Sequence, residues 1–187
     1  AESFLPCLGK NNKYTMKKFL AFGICSFTFL IAQAITPLWL RDVAISPDGN
    51  TILFCYKGDI YKVGVNGGEA QQLTSSNSFD SNPIWSPDGQ KIAFASDRFA
   101  YGNTDILVMS INGGQATRLT THSGKEIPCT FTPDGKNVLF SASIQDQATS
   151  VLFPTANLSE LYSVSVDGGR IQQVIQTPAE AVCFNVD

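Results

Sequence analysis

One four-residue phrase occurs three times in this chain and constrains its fold more than any other feature. An apolar run follows each copy, and a pair of glycines follows later in each case. The copies and their glycine pairs are Ser46-Pro47-Asp48-Gly49 with Gly67-Gly68, Ser86-Pro87-Asp88-Gly89 with Gly113-Gly114, and Thr132-Pro133-Asp134-Gly135 with Gly168-Gly169. The chain therefore contains an internal repeat, whose unit is one small supersecondary structure that packs against its neighbours.

The repeated residues are those that tight turns require. Proline fixes φ at the first central position, aspartate tolerates the next position, and glycine adopts the left-handed conformation that closes a hairpin with a bulge. The glycine pairs predict primed turns rather than a phosphate cradle, because no helix pattern follows them. The predicted structural turn residues are Pro47, Asp48, Gly49, Pro87, Asp88, Gly89, Pro133, Asp134 and Gly135, with Gly67, Gly68, Gly113, Gly114, Gly168 and Gly169 in the second set.

Short apolar runs lie between the turns, for example Ile52–Cys55, Ile92–Ala95 and Val138–Phe140. Continuous apolar runs of this length indicate strands that are covered on both faces. In the second repeat we predict strands at about 82–85, 91–96, 105–111 and 116–119. A unit of roughly 40–50 residues that carries four short strands is typical of a β-propeller blade.

The predicted fold class is therefore all-β: a partial β-propeller with three four-stranded antiparallel blades and the start of a fourth. We place this incomplete propeller at 35–187, with blades at about 40–74, 82–120 and 127–176 and a fourth from about 180. Because 184–187 aligns with 131–134, in the middle of a repeat, we expect the sequence to be a fragment of a longer protein. One repeat position, occupied by Ile45, Trp85, Phe131 and Phe184, is assigned to packing between blades.

The first 34 residues show a different pattern. A basic start at Met16-Lys17-Lys18, an apolar run over 19–31 and the small-x-small site Ala32-Gln33-Ala34 predict a signal peptide at 16–34. Its apolar part is too short for a permanent membrane span. Residues 1–15 precede the expected initiator, and we interpret them as upstream, non-native translation. We therefore expect secretion across the inner membrane, a periplasmic location and no stable membrane span after cleavage.

The composition of the chain limits the partners and the kinds of site that we expect. The net charge of −3 provides no basic surface, so nucleic acid is not an expected partner. Cys55, Cys129 and Cys183 remain after the leader, and we predict small buried side chains without a disulfide. No cysteine or histidine spacing indicates a metal site, and no cofactor is predicted.

No catalytic residue is predicted either. The sole histidine, His122, lies in a loop between repeats, and no Gly-x-Ser-x-Gly elbow occurs. Asp59, Asp105 and Glu160 each begin a third strand, where they could bind a cation or a peptide amine. A structural salt bridge or turn hydrogen bond is the favoured interpretation for these acids, and Asp97-Arg98 is interpreted as a local ion pair.

Meander geometry divides the loops between two faces. The repeated tight turns share one end of the strands, the tight-turn face, where they leave little side-chain variety for recognition. The other end, the long-loop face, carries 75–81, 97–104, 120–126 and 143–158. Loops that vary in length on a constant scaffold favour ligand binding. Leu152 and Phe153, in the longest loop, are candidate peptide contacts, with packing against their own blade as the alternative.

The second repeat also resembles a known family. Pro83-x-Trp85-Ser-Pro-Asp-Gly89, followed by 92–98 and then Arg118-Leu-Thr120, is similar to the WD-like propeller repeat of tricorn proteases and of TolB. The segments Pro37–Arg41, Ile144–Asp146 and Leu152–Thr155 resemble secreted bacterial tricorn-like serine peptidases in particular. This resemblance implies an amino-terminal propeller that admits or filters peptides and scaffolds assembly, and that is not catalytic by itself. A second propeller, a PDZ-like domain and the serine peptidase domain would follow.

The resemblance also implies partners. These are the remaining blades and downstream domains of the same chain, a peptide or protein substrate, and possible further copies in a homo-oligomer. Two alternatives stay open: a periplasmic TolB-like protein-binding propeller, and the propeller of a dipeptidyl-peptidase-like hydrolase. A TolB-like chain places an α/β domain before its propeller, whereas only residues 35–45 separate the predicted leader from the first turn here.

Overall fold

The computed structural model describes residues 39–122, 124–143, 159–175, 179 and 181–184. The predicted signal peptide and the candidate contacts Leu152 and Phe153 lie outside these residues. In the described part every regular element is a strand, and no helix there is long and apolar enough to cross a membrane.

Three four-stranded antiparallel sheets follow one another along the chain, which confirms the predicted fold class. Blade one contains β1 (Arg41–Ile45), β2 (Thr51–Tyr56), β3 (Asp59–Gly64) and β4 (Gln71–Gln72). Blade two contains β5 (Asp80–Trp85), β6 (Lys91–Ala100), β7 (Asn103–Ser110) and β8 (Thr117–Arg118). Blade three contains β9 (Glu126–Phe131), β10 (Asn137–Ala142), β11 (Glu160–Ser165) and β12 (Gln172–Gln173). Each sheet is a meander, and the first strands β1, β5 and β9 lie side by side.

The tight turns are built by their own side chains. In the second turn, the Ser86 hydroxyl donates to Asp88 Oδ1 at 2.6 Å, and the same carboxylate oxygen accepts the Gln90 amide at 3.0 Å. The Lys91 amide closes the turn by donating to Ser86 Oγ at 2.8 Å. Gly89 has a φ of +67°, and the equivalent glycines of the other two turns, Gly49 and Gly135, have similar positive values. A residue with a side chain would be strained at this position.

Two apolar clusters hold neighbouring blades together. One joins blades one and two through residues such as Leu53, Ile60 and Phe94, and Trp85 packs against it. The other joins blades two and three, and Phe131 lies within it at 2% exposure. Ile45 and Phe184 are 62% and 42% exposed because no described blade covers either position, so their assignment to inter-blade packing stays a prediction.

The cysteine prediction is correct only for Cys55. This thiol is buried, and burial raises its pKa to about 12, which leaves it inert. Cys129 is half-buried, and Cys183, expected to be buried, is exposed because the described part of its repeat carries no strand that covers it. None of these three cysteines forms a disulfide within the described part of the chain.

The segment 97–104, expected to be a loop, is mostly strand. β6 continues to Ala100 and pairs with Asn103 of β7, so that only Tyr101 and Gly102 form the turn. β5 likewise begins two residues earlier than expected, at Asp80. Blade two therefore extends a two-stranded hairpin beyond the body of its sheet, on the long-loop face, whereas the equivalent turn of blade one is the short pair Lys57-Gly58.

Candidate functional site

The extended hairpin of blade two forms one wall of an open depression on the long-loop face. The turn between β2 and β3 and the loop from blade one to blade two form the rest. We call this feature the hairpin depression, and its volume is about 840 Å³. Its lining residues are Lys57, Gly58, Ser76, Asn77, Ser78, Phe79, Asp97, Arg98, Phe99, Ala100, Tyr101 and Gly102.

Three aromatic side chains give the hairpin depression an apolar surface that faces solvent. Phe79 and Phe99 are 46% and 51% exposed, and Tyr101 at the tip of the hairpin is fully exposed. The Arg118 guanidinium lies 4.2 Å from the centre of the Phe99 ring and holds it by a cation–π contact. Exposed aromatic rings in a concave surface are suited to bind the side chains of a peptide.

An ion-pair network lies beneath the hairpin depression. Asp80 is fully buried at the start of β5, and Arg98 Nη2 donates to both of its carboxylate oxygens at 3.1 and 2.9 Å. The Ser96 hydroxyl donates to Asp80 Oδ1 at 2.5 Å. The predicted local pair of Asp97 with Arg98 is therefore wrong: adjacent strand residues point to opposite faces. Asp97 Oδ1 instead accepts the Phe79 amide at 2.6 Å.

A second buried acid occupies the corresponding position of blade three. Glu126 is fully buried at the start of β9, where the Thr120 hydroxyl donates to its Oε2. Its Oε1 has no hydrogen-bond partner among the described residues. Burial, reinforced by the nearby charge of Asp105, raises the pKa of Glu126 to about 7, although the Thr120 hydrogen bond opposes the shift. Glu126 therefore carries a proton for much of the range below neutral pH.

The acids at the starts of the third strands have structural partners. Asp105 lies 2.8 Å from Arg118 Nη2 in a largely buried salt bridge. Asp59 accepts a hydrogen bond from Gln72 at 3.0 Å, and Glu160 accepts one from Gln173 at 2.9 Å. Burial raises the pKa of Asp59. Within the described ranges, no group of three or more acidic, histidine or cysteine side chains is placed to hold a metal ion.

His122 does not form part of an acid–base relay in the described structure. Its Nδ1 is buried and has no hydrogen-bond partner among the residues that the structure describes, while its backbone carbonyl accepts a hydrogen bond from Asn103 Nδ2 at 3.1 Å. Thr104 Oγ1 also donates to the Glu126 carbonyl at 2.7 Å, so that the base of the extended hairpin is joined to blade three. The geometry suits binding and positioning at this face.

Sequence reasoning did not identify Asp80, Glu126 or the aromatic residues Phe79 and Tyr101 as site residues. The repeat contained a signal for the two acids, because each lies six residues before the Ser/Thr of its turn phrase. The aromatic residues gave no such signal, since blade one has no hairpin of this length with which to compare them.

Comparison with known proteins agrees with this architecture. The model of the tricorn protease N-terminal β-propeller domain matches residues 37–187. A TolB homologue of Chlorobium luteolum is 36% identical over 75 residues, which cover 40% of this chain and 16% of that protein. The crystal structure of the tricorn protease aligns with a TM-score of 0.64 and 25% identity, covering 80% of this chain and 14% of that one.

TolB from Acinetobacter baumannii has the same fold, with a TM-score of 0.58 and 22% identity over 77% of this chain and 34% of that one. The chain thus spans well under half the length of each of these relatives. The family match extends over nearly all of the residues that form the blades. The chain belongs to the tricorn protease N-terminal β-propeller family.

Proposed function

We propose that this chain is the amino-terminal propeller part of a secreted, periplasmic tricorn-like serine peptidase, and that its long-loop face receives peptide substrate. The hairpin depression carries this proposal, because it presents three exposed aromatic rings: Phe99 and Tyr101 on the extended hairpin, and Phe79 in the loop between blades one and two. The family match supports the peptidase parent. Catalysis would belong to downstream domains of the same protein, and the propeller would admit substrate and support assembly.

The depression offers the two kinds of contact that an extended peptide needs. Phe79, Phe99 and Tyr101 provide apolar area at a small cost in side-chain entropy, since each ring has only two rotatable bonds. Lys57 also lines the depression; its ammonium lies 5.3 Å from the centre of the Tyr56 ring and has no salt bridge to a described residue, so it can still pair with a carboxylate. Leu152 and Phe153 remain candidate contacts in the same model of binding.

The test uses the intact parent protein and a peptide library assayed for cleavage. Replacing both Phe99 and Tyr101 by Ser should raise KM for apolar peptides about five- to tenfold, with kcat nearly unchanged, because a uniform binding contact is lost. Val65→Ser is the control, since Val65 is an apolar residue about as exposed as Phe99 that does not line the depression. Unchanged kinetics in the double variant would reject a substrate role for the depression.

The second candidate is a TolB-like protein-binding propeller, favoured by the 36% identity to a TolB homologue. In that case the parent would show no peptidase activity, and the same two aromatic residues would instead affect capture of a protein partner. Cleavage of peptides by the purified parent, abolished by a serine-directed inhibitor, distinguishes the two candidates.

A further inference from the structure

A second groove lies between blades one and two on the opposite, tight-turn face. The two turns abut there, and a Cβ at Gly89 would lie 3.8 Å from Pro47 Cδ. The groove has a volume of about 710 Å³, within the range of roughly 300–1,000 Å³ that is typical of ligand sites. Since it lies between two described blades, further blades of a propeller would not fill it.

The floor of the groove is apolar and fixed in place. Trp85 lines it, and its indole N–H donates to the Ala44 carbonyl of blade one at 3.2 Å. Val63 and Ile111 line it as well. Lys62 extends across the junction and donates from Nζ to the Ile111 carbonyl at 2.8 Å, which ties blade one to blade two.

The rim of the groove is acidic. Asp48, Glu69 and Asp88 line it, are exposed, and have no Lys or Arg within ion-pair distance among the described residues. Hydrogen bonds from Ser46 and Ser86 hold the pKa values of the two aspartates below their usual range, so both are ionised at neutral pH. Three carboxylates and one ammonium, that of Lys62, therefore line the groove, and the charge of nearby Lys91 also lowers the pKa of Asp88.

We propose that this groove binds an extended segment of a partner protein that carries Arg or Lys side chains. The aliphatic stem of such a side chain would cover Trp85, and its cationic group would reach the rim carboxylates, a combination that suits Arg in particular. This function goes beyond peptide entry at the long-loop face. It also departs from the sequence-based expectation that the tight-turn face offers little for recognition.

The experiment is a fluorescence titration of the full chain with two peptides. The first is acetyl-Gly-Ser-Arg-Leu-Arg-Gly-amide, and the second has citrulline, which is neutral, in place of both arginines. Trp39→Phe removes the other, largely exposed tryptophan, so that the emission reports Trp85. The arginine peptide should bind saturably and change this emission, and the citrulline peptide should bind at least fivefold more weakly.

Variants separate the groove from general electrostatics. Asp88→Asn should weaken binding of the arginine peptide about two- to fivefold, the range for an exposed charge contact, and Glu69→Lys with Asp88→Asn should weaken it about tenfold. Asp134→Asn is the matched control, because it alters the same turn chemistry in blade three, away from the groove. Equal binding of both peptides, no saturable binding, or an equal effect of Asp134→Asn would overturn the proposal.

Discussion

The two blade junctions place an acid at the same position and stabilise it in different ways. At the junction of blades one and two, Asp80 has Arg98 and Ser96 on its oxygens. At the junction of blades two and three, Glu126 accepts a hydrogen bond from the Thr120 hydroxyl but forms no salt bridge with a described residue, and the nearby Arg118 pairs with Asp105 instead. The repeat thus places a buried acid at the same position of both junctions, whereas the neighbouring residues of each junction decide how its charge is stabilised.

The strand register explains this difference. Asp80 pairs with Ser96 of β6, and Glu126 pairs with Ala142 of β10, so the hydroxyl of the first junction has no counterpart in the second. Two residues after Ser96 the sequence has Arg98, whereas two residues after Ala142 it has Ile144. At these two positions the sequence of blade three has neither a hydroxyl nor a cation, and burial raises the pKa of its acid, Glu126.

The largest expected effect is at the first junction. Arg98→Met should lower the free energy of unfolding by about 3 kcal/mol, because it leaves the Asp80 carboxylate buried without its counter-charge. Urea denaturation of the full chain at pH 7.5 measures this free energy of unfolding.

Lys57→Met is the matched control for loss of a cation at the same face, and it should change stability by less than about 0.5 kcal/mol. Combining Arg98→Met with Asp80→Asn should recover part of the loss. A loss below about 1 kcal/mol in Arg98→Met would show that Asp80 does not depend on its ion pair.

The second junction should instead respond to pH. The pKa of Glu126 is about 7 in the folded chain and 4.5 as the ordinary value, so between these pH values the folded state binds more protons than the unfolded state. Stability from this group is therefore greatest below about pH 4.5 and declines as pH rises through 7, by about 3 kcal/mol in total.

Glu126→Gln isolates this contribution, since a neutral amide cannot titrate. The difference in unfolding free energy between the variant and the native chain should grow in favour of the variant from pH 5 to pH 8, measured by urea denaturation in constant ionic strength. Glu69→Gln, at an exposed site, should leave the pH profile unchanged. If the unfolding free energy of Glu126→Gln depends on pH as steeply as that of the native chain, Glu126 is ionised at the junction throughout this pH range.

Much of this architecture could be predicted from the repeated turn phrase, whose residues have few other uses. The three sheets follow from it, because the turns are closely spaced and the apolar runs between them have the length of single strands. The extension of β6 to Ala100 could not be predicted, since Asp97 to Ala100 shows no alternation of apolar and polar residues, and backbone pairing with β7 decides the outcome.

The site was harder to predict than the fold for a related reason. The partner of Arg98 is 18 residues away in sequence, and only the register of β5 with β6 brings the two together. The raised pKa of Glu126 depends on its burial at the start of β9 and on the nearby charge of Asp105. A turn phrase encodes local backbone geometry, whereas these properties arise from contacts between strands and between blades.

The smallest expected effect is a difference in unfolding free energy between alanine substitutions in the two turns that border the hairpin depression. Gly58 and Gly102 both have positive φ, at +89° and +77°, so alanine at either should cost about 1 kcal/mol in backbone strain. A Cβ at Gly58 would also lie 3.3 Å from Phe79 Cδ2, whereas nothing lies within 4 Å of one at Gly102. Gly58→Ala should therefore cost up to about 1 kcal/mol more in unfolding free energy. Adding Phe79→Ala should remove that surplus. Equal losses of unfolding free energy in the two single variants would show that the Phe79 ring does not hinder a side chain in the turn of blade one.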